Sequence, residues 1–492
     1  MAKTTTIIDI GSNSMRMVVL QKSSRFAFHL INETKSRVKI SEGCYENGGN
    51  LQETPMNRAF NSLKSFLNIS NSLKAKKVIC VATSALRDAP NSKVFLSKVK
   101  KELGLNIKVI NGEKEAYYGG VAALNLLHND EFLTVDIGGG STEFCFVKDG
   151  QITKSISLNI GTVRLKELFF DKGSVKEAKE YISSNLKKIF ELDISIPFTV
   201  VGIGGSIRAI TKAIMKDTSY PLDVLHGYTY DVESNKSLIN SIINAKDITE
   251  LKKLGIKKDR FDTIKEGTFI FNTILEELNT KKVITSGVGV REGVYLCDLL
   301  RNSNHKFPSN FNISLRSLLD RFETDGNQSA YFGNNASKIF EVLKPIHNLD
   351  DNFRTLLVVA SKLHSIGTTL NFYKVNDNTF NFILNGLNYD FLHTSRVIVA
   401  YTIKYSKKSL PTKKDLQGYE QLLPNLETMQ WMSFMISLNL MINQDYSKPK
   451  VEYILEANTL KIILPCYSFL VESSLDKLEV PKMLELEIVC QK

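Results

Sequence analysis

The chain has 492 residues, 43% hydrophobic and 23% charged, too many for one core and enough for three or four globular domains of about 100 to 200 residues each. That balance excludes a disordered or fibrous chain. The 63 Lys and Arg against 52 Asp and Glu leave a formal net charge of +11, which favours polyanionic partners: nucleic acid, anionic lipid or a polyphosphorylated molecule.

The basic residues fall in short groups such as Lys74, Lys76 and Lys77 without interleaved aromatics, so no specific nucleic-acid partner is expected. The opening MAKTTTIIDIG runs directly into a strand. Nowhere do about 18 apolar residues stand together, so a cytoplasmic location and no membrane partner are expected. The six cysteines form no CxxC pair and, with the seven separated histidines, no zinc signature. They read as reduced packing residues.

Residues 5–20, TTIIDIGSNSMRMVVL, predict a strand, a small polar turn and an alternating strand. Strands are expected to continue to about Ile40, followed by a polar loop and a helix over 53–73. The strand KVICVA, 77–82, ends in Thr83-Ser84-Ala85-Leu86-Arg87-Asp88, which places Arg87 past a strand's carboxyl end, where open α/β sheets bind ligands. Arg87 is either a phosphate clamp or a surface partner of Asp88. A helix over 92–103, a strand over 107–110 and the helix start GEKEA, 112–116, come next. Glu113 reads as a first-turn carboxylate favoured by the helix dipole. Glu115 stands before Ala116 and the pair Gly119-Gly120, so little bulk obstructs it from orienting a water for attack on phosphorus.

Residues 134–147, TVDIGGGSTEFCFV, repeat the first plan 127 positions on: Asp136 matches Asp9, Gly138 matches Gly11, Ser141 matches Ser14, and Glu143 stands against Arg16. Gly138, Gly139 and Gly140 either form a simple hairpin turn or curl their N–H groups around an anion. Carboxylates Asp136 and Glu143 beside a phosphate would require a divalent cation between them, most simply Mg2+. Arg16 either contacts phosphate or is an exposed strand residue. A strand and helix follow over 154–170 and a further helix over 175–190. The run from Phe198 to Arg208 predicts a strand, a third turn at Gly202–Ser206 and a helix whose amino terminus suits an anion or nucleotide, or serves close strand–helix packing. Residues 281–286 form one more strand before Gly287-Val288-Gly289 and the helix GVYLCDLLRN. From about 304 the character changes: HKFPSNFN reads as a linker, residues to 443 as helical, and residues 451–489 as a small α+β segment.

Two strand–turn–strand hairpins resemble the phosphate hairpins of the actin, sugar-kinase and chaperone ATPase superfamily; a P-loop or Rossmann site would turn from strand into helix. DIGSNSMR (9–16), ATSALRDA (82–89), GEKEA (112–116), DIGGGSTE (136–143), GIGGS (202–206) and SGVGVREGV (286–294) together resemble the exopolyphosphatase and guanosine pentaphosphate phosphohydrolase (Ppx/GppA) family. The resemblance implies an α/β chain with two actin-like domains, 1–125 and 126–303, around a cleft, the last helix of 286–303 being able to pack back on the first. It implies Mg2+ and hydrolysis of terminal phosphoanhydride bonds. Glu115 becomes the catalytic glutamate, and Asp136 and Glu143 the metal residues. Phosphate falls to the turn residues Gly11, Ser12, Asn13 and Ser14 with Arg16, to Gly138, Gly139, Gly140, Ser141 and Thr142, and to Arg87; Gly204, Gly205 and Ser206 of the third turn are further substrate candidates. Residues 304–443 resemble an HD-type helical domain, degenerate because Ser365 stands where a metal-binding Asp would be, and 444–492 form the terminal segment. His364 is then a core or surface histidine, and a homodimer is the expected assembly. The expected substrate is inorganic polyphosphate; the alternatives are the alarmone pppGpp at the same site, or a non-catalytic nucleotide sensor.

Overall fold

The structure, a computed structural model, describes residues 3–192, 197, 199–323 and 325–490. It divides into two compact units, Met1–Phe311 and Asn312–Lys492.

The first unit holds two sheets. Strands β1 (Thr4–Ile10), β2 (Met15–Lys22), β3 (Phe28–Ser36), β4 (Lys77–Ala82) and β5 (Ile107–Val109) lie in the order β3-β2-β1-β4-β5. β1 pairs antiparallel with β2 and parallel with β4. Strands β6 (Phe132–Ile137), β7 (Thr142–Lys148), β8 (Gln151–Leu158), β9 (Thr199–Ile203), β10 (Thr229–Asp231) and β11 (Lys282–Thr285) lie in the order β10-β11-β9-β6-β7-β8. Reading from β8, the second sheet repeats the first: a three-strand antiparallel meander, then two parallel strands, with β10 added at the far edge. Register confirms the repeat, since Asp9 stands opposite Arg16 as Asp136 stands opposite Glu143. Phe198 lies outside the described residues.

The helices of the first sheet are α1 (Glu53–Ser72), α2 (Ser84–Asp88), α3 (Ser92–Leu103) and α4 (Gly112–Leu126). Those of the second are α5 (Thr162–Leu168), α6 (Val175–Phe190), α7 (Gly205–Asp217), α8 (Lys236–Asn244), α9 (Ile248–Lys253), α10 (Ile264–Glu277) and α11 (Val290–Leu299). Apolar alternation decides which faces they cover. Ile8, Ile10, Met15 and Met17 bury against Leu63, Phe66 and Phe95 of α1 and α3. Val135, Phe144 and Phe146 bury against Ile207, Ile270 and Phe271 of α7 and α10. The remaining faces are covered crosswise. α4, launched by the first sheet, sets Ala123 among Cys145, Val201 and Ile203 of the second, whereas α11, launched by the second, lays Tyr295 edge-on to Phe28 of the first at 4.7 Å. Burial of this exchanged pair of helices is a hydrophobic tie between the two halves, the dominant favourable term in such packing.

Two local expectations differ from the structure. Residues 37–41 leave the sheet and strap the first turn instead, with Lys39 N donating to Asn13 O at 3.0 Å and Ser41 N to Ser12 O at 3.2 Å. Residues 304–311, which read as a linker, pack on α4: the Tyr117 hydroxyl lies 2.7 Å from His305 Nδ1, and Asn125 Nδ2 donates to His305 O at 2.8 Å. Cys44, Cys80 and Cys145 are buried free thiols, whereas Cys466 is exposed.

The second unit contains α12 (Ile313–Phe322), α13 (Gly326–His347), α14 (Asp351–Leu363), α15 (Val375–Gly386), α16 (His393–Lys404), α17 (Leu426–Ile442), α18 (Phe469–Leu475) and a sheet β12 (Glu452–Glu456), β13 (Thr459–Leu464), β14 (Glu485–Cys490). A buried polar chain crosses it: Asn335 Nδ2 donates to Asn439 Oδ1 at 2.9 Å and Tyr453 Oη to Asn335 Oδ1 at 3.1 Å. His364 Nδ1 lies 2.8 Å from Ser361 O and its ring packs on Phe332; desolvation pushes the imidazole down to about 4, so it is neutral near pH 7. Among the described residues, no helix is long and apolar enough to cross a membrane.

Candidate active site

The two repeated turns face one cavity of about 160 Å3 in the first unit. The first hairpin contributes Gly11, Ser12, Asn13, Ser14 and Arg16; the second contributes Asp136, Gly138, Gly139, Ser141 and Glu143. The third turn adds Gly204, Gly205 and Ser206, and α4 adds Glu115. Close approach explains two glycines. A Cβ on Gly139 would stand 2.8 Å from Ser12 Cβ, so the two turns meet only because Gly139 has none. Gly204 has φ +100°, and a Cβ there would lie 2.9 Å from Ile137 O and 3.0 Å from Asp136 Oδ1.

Three of the expected residues are not in the lining. Thr142 alternates with Glu143 along β7, so when Glu143 faces the cavity Thr142 faces away, and its hydroxyl donates to Ile160 O. Gly140 turns its carbonyl to Arg164 Nε at 2.7 Å. Arg87 stands behind Glu115: its Nη1 lies 3.0 Å from Glu115 Oε2 and its Nη2 3.5 Å from Ser141 Oγ.

Helix α4 positions Glu115. Asn111 caps it, accepting from Lys114 N at 2.9 Å, and the first turn then directs Glu113 to solvent and Glu115 inward. Glu115 is 8% exposed. Burial and the neighbouring Glu143 push its carboxyl well above the usual range, against the opposing pull of Arg87. Burial likewise raises Glu143, where Asp136 adds to the effect, and lifts Asp9 and Asp136 each to about 6.

Asp9 was missed by sequence reasoning, although its equivalence to Asp136 in the repeat was the signal for it. Its Oδ1 is buried without a hydrogen-bond partner. Asp9, Asp136 and Glu143, three carboxylates gathered in one cavity with an orphaned oxygen among them, fit a hard divalent cation. Among the described residues no three such side chains converge tightly enough to enclose a metal by themselves.

Four arginines line the cavity, of which only Arg16 was anticipated. Arg291 Nη1 lies 2.7 Å from Glu33 Oε1, and Arg16 Nη1 shares that oxygen at 3.4 Å. Arg208 is held by carbonyls, donating from Nε to Ser286 O at 2.8 Å and from Nη2 to Val288 O at 3.1 Å. Burial and its cationic neighbours lower it to about 10, so it stays charged at neutral pH. Arg260 covers Gly205, where a Cβ would meet Nη1 at 2.2 Å. The loop bearing Arg260 is tied to β3 and the strap: Lys35 Nζ to Asp259 Oδ2 at 3.3 Å, Arg37 Nη2 to Asp262 Oδ1 at 2.9 Å, and Lys39 Nζ to Asp262 Oδ2 at 3.3 Å. Arg208 and Arg291 stand in stretches singled out for their glycines and Arg260 in an ordinary loop, so no phosphate role was read for any of the three; folding brings them to one wall with Arg16. Four guanidiniums lining one cavity can bind the oxygens of a polyanion such as a phosphate chain.

The sequence pattern of the Ppx/GppA phosphatase family matches residues 18–302. The chain belongs to this family. It is 31% identical over 301 residues to a bifunctional 3-dehydroquinate synthase/phosphatase of Fusobacterium nucleatum, a match spanning 57% of this chain but only 44% of that protein. A guanosine-5'-triphosphate,3'-diphosphate pyrophosphatase of Photobacterium profundum is 26% identical over 382 residues, covering 75% of this chain and 74% of that protein. The crystal structure of the Aquifex aeolicus Ppx/GppA family member shares 30% identity with a TM-score of 0.53, covering 62% of this chain and 99% of that one. An exopolyphosphatase from Cytophaga hutchinsonii shares the fold at 24% identity, with a TM-score of 0.54 over 60% of this chain and 98% of that one.

Proposed function

We propose that this Ppx/GppA family member is an exopolyphosphatase that hydrolyses the terminal phosphoanhydride bond of inorganic polyphosphate. The observation that carries this reading is Glu115, a buried carboxylate with raised proton affinity at the wall of a cavity lined by glycine turns and four arginines. Glu115 takes a proton from a water whose oxygen attacks the terminal phosphorus; the bond to the bridging oxygen breaks and its electron pair stays on the shortened chain. Arg87 fixes the Glu115 carboxylate by its 3.0 Å contact. Turn amides of both hairpins and the four arginines bind the phosphate oxygens and spread their charge. Asp136, Glu143 and Asp9 would hold Mg2+, which supplies charge neutralisation at the transferring phosphoryl group.

A second reading is 5'-phosphate hydrolysis of pppGpp. It is favoured by a chamber of about 610 Å3 that adjoins the site through Arg16, Gly205, Arg208 and Arg260 and is lined by Lys212, Lys216, Tyr220, Pro221 and Leu225. Apolar and aromatic surface beside lysines suits a nucleoside carrying phosphates. Phosphate release from long-chain polyphosphate and from pppGpp, compared as kcat/KM, separates the two. A preference of tenfold or more for pppGpp overturns the first reading.

A further inference from the structure

A smaller chamber lies on the other side of the second phosphate turn. Its lining includes Ser41, Tyr45, Ser84, Asn159 and Arg164, and its volume of about 260 Å3 exceeds the 160 Å3 of the catalytic cavity. Ser84 lines both spaces, and its hydroxyl lies 3.1 Å from that of Ser12, a residue of the first phosphate turn. Gly140 packs beside Ser84: a Cβ there would lie 2.7 Å from both Ser84 Oγ and Tyr45 Oη, so a side chain at this position would crowd the boundary between the two spaces. The chamber is chemically prepared for an oxyanion. Arg164 spans it, donating to Gly140 O at 2.7 Å, lying 4.7 Å over the Tyr45 ring and reaching Asp88 Oδ2 at 2.9 Å. Ser41 is 1% exposed, yet its hydroxyl has no hydrogen-bond partner. A buried hydroxyl left so is destabilised, and the accepting oxygens of a guest that reaches it would offset that cost.

We propose that this chamber is the exit for the orthophosphate cut from the substrate. The inference rests on the hydrolytic reading above. If the terminal phosphate is cleaved beside Glu115, the shortened chain still lies on Arg16, Arg208, Arg260 and Arg291 and obstructs return by the way it entered. Orthophosphate passes Ser84 instead, is received by Ser41, Tyr45 and Arg164, and leaves past Asn159. Asp88, paired with Arg164, offsets the cationic charge, so the chamber passes phosphate on without retaining it. The remaining chain can then advance without dissociating.

Asn159 is an exposed member of the lining, so Asn159→Trp can plug the chamber from outside, with Asn159→Ala as the open control. Cleavage in a single turnover is followed by acid quench, and phosphate reaching solution by a fluorescent phosphate-binding protein. Asn159→Trp is expected to cleave polyphosphate at the wild-type rate but to release phosphate at least tenfold more slowly, with Asn159→Ala unchanged in both. Release from Asn159→Trp that keeps pace with cleavage overturns the exit. Unmodified protein that cleaves neither polyphosphate nor pppGpp removes the hydrolytic reading itself, a result told apart by the quench alone.

Discussion

Glu115 and Arg87 form an ion pair in which each member favours the charged form of the other. Burial and Glu143 favour the protonated acid, whereas Arg87 favours the carboxylate that catalysis needs. If Glu115 is the base, as proposed, it must be ionised, so activity is expected to fall as pH drops through the raised pKa. The acid limb of kcat/KM is therefore expected above the ordinary carboxylate range near 4.3. Arg87→Ala removes the charge that favours ionisation, so the limb should move further up in pH; a limb that stays put would strip Arg87 of its positioning role. Glu115→Gln should lower kcat by about 10^2 to 10^4 with polyphosphate binding retained, checked by steady-state kinetics and equilibrium binding. Unchanged turnover would take Glu115 out of the mechanism.

At the level of elements, the hairpins were the most legible part of the chain, because Asp-Ile-Gly followed by small residues and an alternating strand occurs twice with matched spacing. The same alternation argued against Thr142, since Glu143 beside it faces the cavity. The phosphate-facing role of Arg208, Arg260 and Arg291 was not legible, although two of them stand in quoted glycine stretches: each belongs to a different helix or loop, and tertiary packing gathers them. The exchange of α4 and α11 between sheets was equally hidden, since periodicity tells which face of a helix is apolar and not which sheet it meets. Gly139 tests the contact of the two hairpins. Gly139→Ala would force a Cβ to 2.8 Å from Ser12, separating the turns. We expect activity to fall at least tenfold and stability by about 1–3 kcal/mol, read from denaturant unfolding. Wild-type activity would mean that the turns need not touch.

For the whole first unit, the buried acids link stability to pH and to metal. Asp9 and Asp136 are raised from 3.8 to about 6, so the folded state binds protons more tightly than the unfolded chain. Their contribution favours folding at low pH and is lost as pH rises toward and past 6. A divalent cation held by the ionised carboxylates, as proposed above, would offset that loss, so Mg2+ should raise Tm more at pH 7.5 than at pH 5. Equal shifts at both pH values would contradict metal binding by these acids. The net charge of +11 and the four cavity arginines also predict that raising KCl from about 50 to 500 mM increases KM for polyphosphate severalfold with little change in kcat.

The second sheet repeats the five-strand order of the first, with β10 added at its edge, yet one hairpin presents Arg16 where the other presents Glu143. A cleft built from two identical halves would have no front or back. Inorganic polyphosphate has none either, since its two ends are chemically the same. The exchange of a cation for an anion gives the cleft a direction, and on the proposed reading a linear substrate without polarity would acquire one on entering it: a reacting end at Glu115 and a held end on the arginines.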